Sequence, residues 1–97
     1  MTSALHPDAE RELLEAARFY EKTVVGLGLE FIAEVERAAS LIVANPEIGQ
    51  RLDPILRRVL LKKFPFSVIY RTNASGTNVI AIAHQSRRPG YWRSRIE

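Results

Sequence analysis

Apolar residues recur at helical spacing as far as Ala44, and past Pro46 that period gives way to short runs of branched and aromatic residues. This change of period constrains the fold more than any other feature. A stripe repeating every about 3.6 residues belongs on one side of a helix, whereas an alternating run belongs on a pleated strand. In HPDAERELLEAARFYEKTV, Leu13, Ala17, Tyr20 and Val24 form one stripe with Leu14 beside it, and Glu10, Glu12, Glu15, Arg18 and Glu21 take the other face. Pro7 and Asp8 suit the start of that helix, where fixed φ and negative charge are both favoured. The glycines of VGLGLE interrupt the pattern, and a second helix is predicted over roughly Leu29 to Ala44. Its stripe is Ile32, Val35, Ala39 and Ile42, widened by Phe31 and Ala38. Pro46 ends it, because the residue before a proline is pushed out of the helical region. Two amphipathic helices on a short glycine link read as an antiparallel hairpin.

Beyond the loop NPEIGQRLDP, the segments ILRRVLLKKF and FSVIYR are separated by Pro65, and TNVIAIAHQ follows the turn residues TNASG. They predict a three-stranded antiparallel meander, with a short extra strand at Thr2 to Leu5 weakly signalled. The expected fold is α+β, one domain over residues 1–97, with the helical hairpin on one face of the small sheet. Ile32, Val35, Ile42, Val68 and Ile80 are expected to be buried together.

Composition excludes several classes of function. No run approaches the ~18 apolar residues of a membrane span. MTSALHPDAERE lacks the basic and apolar regions of an export signal, so the cytoplasm is the expected location. With 0 cysteines there is no disulfide, thiolate nucleophile or cysteine-ligated metal. His6 and His84, the 2 histidines, stand at opposite ends without companions at ligand spacing, so neither metal nor cofactor is expected. No glycine-rich phosphate loop or nucleophile elbow is present.

The net charge of +3 conceals a division along the chain. Residues 1–50 carry four Lys/Arg against nine Asp/Glu, and residues 51–97 carry ten against two. The basic half is where a polyanionic or acidic partner is expected. Alternation places Arg58, Leu60 and Lys62 on one side of the first meander strand and Arg57, Val59, Leu61 and Lys63 on the other, so one basic row can face away from the helices. The tail AHQSRRPGYWRSRIE adds His84, Arg87, Arg88, Arg93 and Arg95 around Tyr91 and Trp92. Guanidinium forks suit carboxylate or phosphate. Trp92 fits two uses, covering the open edge of a small core or anchoring a contact.

The order of elements, together with HPDAERELLEAARFYE, GLGLEFIAEVERA, NPEIG, RRVLLKKFPFSVIYR and AIAHQSRRPGYWRSR, resembles the RelE/ParE superfamily, the toxin halves of bacterial type II toxin–antitoxin modules, over essentially the whole chain. The resemblance implies a toxin silenced by an acidic antitoxin, which carries the DNA-binding part through which the complex meets its operator. RelE-like members cleave messenger RNA on the ribosome and ParE-like members poison DNA gyrase. PEIGQRLDPIL stands where RelE has a lysine-rich stretch, and F-Y-E…G-L-G-x-x-F…P is closer to ParE. The implied target-binding residues are Arg57, Arg58, Lys62, Arg87, Arg88, Tyr91, Trp92, Arg93 and Arg95. Leu14, Arg18, Arg58 and Lys62 are the implied antitoxin contacts. Were the chain to cleave RNA, His84, Arg87 and Tyr91 would carry the chemistry. A binding module that only sequesters antitoxin is the remaining alternative.

Overall fold

A computed structural model describes residues 4–96. In chain order its elements are β1 (Ala4–Leu5), α1 (Pro7–Thr23), α2 (Leu27–Ala44), β2 (Gln50–Arg51), β3 (Arg57–Leu60), β4 (Phe66–Asn73), β5 (Gly76–His84) and a closing 3-10 turn, Arg93–Ile96. The strands lie in the order β1-β5-β4-β3-β2. The α+β architecture and the β3–β4–β5 meander agree with the sequence reading, but the sheet has five strands and is mixed. β1 pairs in parallel with β5 at Asn78 and Val79, and β2 adds an antiparallel edge to β3. β2 is hidden in the sequence because it is two exposed residues with no alternation to show. Of the expected N-terminal strand, Thr2 and Ser3 lie outside the described residues.

Local chemistry sets the helix ends. The His6 ring Nδ1 accepts from the Asp8 N–H at 3.0 Å and caps α1, with Pro7 as its first residue. Glu21 reaches across the hairpin and accepts from the N–H groups of Gly26 (2.8 Å) and Gly28 (3.0 Å), putting a carboxylate on the otherwise unpaired start of α2. α2 begins two residues before the predicted Leu29 because that cap comes from a distant side chain. Gly28 packs so closely on α1 that a Cβ there would lie 2.5 Å from the Ala17 carbonyl oxygen.

The helices cover one face of the sheet. Ala9 and Ala17 of α1 and Phe31, Val35, Ala38 and Ile42 of α2 pack on Phe64, Phe66, Val68, Tyr70, Val79 and Ile82. Tyr20, Phe31, Phe64 and Phe66 form an aromatic cluster with centroids 4.9–6.3 Å apart. The opposite face carries a second core of Leu56, Ile69, Ile80, Ala81, Ala83 and Trp92. Being covered on both sides, β4 and β5 read as near-continuous apolar runs. Two expectations are corrected here. Ile80 is buried in the second core, apart from Val35, Ile42 and Val68, and Val24 is an exposed C-cap residue outside the apolar stripe.

Candidate functional site

β3 enters the sheet with Arg57 and Val59 toward the helices and Arg58 opposite Ile69, on the face that carries the second core. The chain after β5 then folds back over that same face and seats Trp92 against Ile69, Ile80 and Ala83. The result is a shallow cavity of about 100 Å³, whose lining includes Arg58, Ser67, His84, Arg87 and Trp92. Four residues singled out in the sequence as target-facing or catalytic therefore share one cavity, Arg58 coming from β3 and His84, Arg87 and Trp92 from the end of β5 and the tail. Arg58 is steadied by Nε donating to Gln50 Oε1 at 3.0 Å. His84 Nδ1 accepts from the Ser86 N–H at 3.0 Å, so in the neutral ring the proton sits on Nε2. That ring and Phe66 meet nearly perpendicular, with centroids 4.9 Å apart. The indole Nε1–H of Trp92 is buried without an acceptor among the described residues.

Tyr91 is turned elsewhere. Its hydroxyl donates to Glu12 Oε2 at 2.5 Å, and Arg95 donates to both oxygens of Glu12, at 2.9 and 3.0 Å. Glu12 Oε1 also accepts from the N–H of Ile82 at 3.0 Å, and Arg95 Nη1 reaches the carbonyl of Ile80 at 3.0 Å. These last two bonds complete the edge of β5 beyond the point where β1 stops, so an ion pair does the work of a missing strand. Glu12 is only 8% exposed. Burial pushes its carboxyl up, but the bonds from Arg95, Tyr91 and Ile82 and the Arg95 charge outweigh that and hold it below the ordinary carboxylate range. Burial, then the bond and charge of Glu12, push the Tyr91 hydroxyl far above its usual value. The sequence reading missed Glu12, placing it on the solvent face of α1. The available signal was Ala9 and Ala16 flanking it at helical spacing, which lets this part of α1 lie close to β5.

The other basic residues divide by engagement. Arg57 Nη1 donates to the carbonyls of Glu47 (3.2 Å) and Gly49 (2.9 Å), and Arg93 pairs with Asp53 at 2.7 Å, binding the tail to the loop before β3. Arg93 holds the Asp53 carboxyl below its ordinary value. Arg87 lies over the Tyr91 ring, its Cζ 4.1 Å from the centroid, while Arg88 and Lys62 are exposed. Leu14 and Arg18 are exposed on α1, away from the Arg58 cavity. Among the described residues no three His, Asp or Glu side chains group to hold a metal ion, and no helix is long and apolar enough to cross a membrane.

A chain of the solved chromosomal ParDE TA system from P. aeruginosa has the same fold, with a TM-score of 0.69 and 20% identity, covering 87% of this chain and 95% of that one. No curated protein sequence matches significantly. The family model of the ParE toxin of the type II toxin-antitoxin system parDE matches residues 4–89. Those residues contain both helices, the whole sheet and the His84–Arg87–Arg88 segment, and the chain belongs to the ParE toxin family of type II toxin–antitoxin systems.

Proposed function

We propose that this toxin arrests growth by binding DNA gyrase through the cationic face around Arg58, Arg87 and Arg88, without cleaving RNA, and that an acidic antitoxin neutralises it. The observation that carries this reading is the engagement of the Tyr91 hydroxyl by Glu12. A general acid or base must exchange its proton near the operating pH, and a hydroxyl bonded to a buried carboxylate, with its proton held far more tightly than usual, is ill suited to that task. The cations need no such chemistry to grip an acidic surface. The antitoxin would use Leu14 and Arg18 on α1, beside the exposed Phe19, Val24, Val25 and Leu29, together with Arg58 and Lys62. Operator DNA would be met through the antitoxin.

One observation favours the second reading, ribosome-dependent RNA cleavage: His84 shares its cavity with Arg58 and Arg87. The deciving measurement pairs plasmid supercoiling by purified gyrase with translation in a bacterial extract, each with the toxin added. Loss of supercoiling with translation intact, retained by His84→Gln and Tyr91→Phe and lost in Arg58→Ala/Arg87→Ala, is the expected result. Blocked translation with cleaved messenger, abolished by His84→Gln, would replace it with the cleaving reading. A general base contributes ~10²–10⁴-fold, so the two outcomes are well separated.

A further inference from the structure

Apart from Trp92 Nε1, the Nε–H of Arg71 is the buried side-chain donor without an acceptor among the described residues. Arg71 stands toward the far end of β4 from the Arg58 cavity and lines a separate cleft of about 470 Å³, between the loop after α2 and the loop before β3. Arg51 and Arg57 line the same cleft. These two are cross-strand partners in the β2–β3 ladder, where like charges facing each other are unfavourable. None of the three guanidiniums is ion-paired among the described residues. Of the two carboxylates on the lining, Asp53 is taken by Arg93, which leaves Glu47 against three cations. Arg57 is already held in place by the Glu47 and Gly49 carbonyls.

We infer that this cleft is a seat for a carboxylate side chain of an acidic polypeptide segment. An orphaned buried donor on the same lining as two further guanidiniums that have no ion-pair partner among the described residues is a donor set lacking its anion, and a carboxylate offers two oxygens to such forks. The rest of the lining selects peptide over nucleic acid. Tyr70, the one aromatic residue on it, is fully buried, so no ring is offered to a base, and Glu47 and Asp53 would repel a continuous run of phosphates. Pro54 and the half-exposed Ile55 instead offer an apolar rim to the residue beside the acid. The inference draws on the toxin–antitoxin reading only for the source of such a segment.

The test uses the purified chain and a synthetic peptide of alternating glutamate and leucine, so it reads the cleft whether or not the protein arrests growth. On titration the Arg71 Nε–Hε resonance should shift and saturate with the binding curve. Arg71→Gln and Arg51→Gln should each weaken binding roughly tenfold or more, the scale of one lost charge-assisted hydrogen bond, while Lys22→Gln on α1 leaves it unchanged. Because the wild-type resonance is read directly, a variant that fails to fold does not spoil the test. An Arg71 signal unmoved at saturation would overturn the inference, as would equal affinity in Arg71→Gln and Lys22→Gln. So would a shift produced by an oligouridylate and not by the peptide.

Discussion

Glu12→Gln keeps the shape of the side chain that joins α1, β5 and the C-terminal turn but removes its charge. Three donors converge on that carboxylate, and the Arg95 side chain beside it is only 9% exposed. Removing one partner of a buried pair costs about 3–5 kcal/mol, chiefly because the other charge is left uncompensated. Asp8 remains as a second anion, its Oδ2 3.6 Å from Arg95 Nε, and the glutamine oxygen still accepts one bond. The expected loss is therefore at the low end, about 3 kcal/mol. For a domain of this size that lowers the melting midpoint by roughly 12–24 °C. The assay is thermal unfolding followed by circular dichroism and by the fluorescence of Trp92, the only tryptophan, which reports on the tail itself. Native-state emission should shift to the red as the tail loosens. Glu34→Gln is the internal comparison, since Glu34 is also buried but its partner Arg37 is 46% exposed, and that change should cost under about 1 kcal/mol. If both variants melted within a few degrees of wild type with unchanged emission, the anchoring role of Glu12 would be wrong.

The same cluster fixes a pH window. Glu12 is held below its ordinary 4.5, so its stabilisation is whole above that pH and is lost as pH falls through the folded value; Tyr91 is held above its ordinary 10.0, so its part is whole below that pH and erodes above it. Urea midpoints across pH should show a plateau between these limits, with a shallower acid limb in Glu12→Gln. Gly49→Ala would put a Cβ 2.6 Å from the Tyr70 hydroxyl and 2.8 Å from the Arg58 carbonyl oxygen, breaking the bond by which Gly49 N–H meets Tyr70; a loss of ~2 kcal/mol or more by urea unfolding is expected. Val35→Asp would bury an unpaired charge between α2 and the sheet, at a cost of several kcal/mol, and cooperative unfolding near the wild-type temperature would contradict the packing described.

What the sequence determined by itself is whatever its periods and punctuation encode. The two helices, the stop at Asn45–Pro46, the break at Pro65 and the turn before Gly76 all depend on neighbours a few residues apart, and each is legible for that reason. The gathering of basic residues in the second half was also legible, since charge is additive along a chain, and with it came Arg58 and Arg87 on one side of the sheet; of the two uses open to Trp92, the structure shows it covering the second core. Tertiary structure alone decided how those charges are used. Arg93 and Arg95 are committed to Asp53 and Glu12, across 40 and 83 residues of chain, and no local pattern announces such a pairing. It decided that Glu12, to all appearance one more acid on a solvated helix face, is buried, because β1 ends early and leaves the edge of β5 needing polar partners. It also decided that Ile80 belongs to a second core, since a strand's alternation says which residues share a face but not what will cover that face.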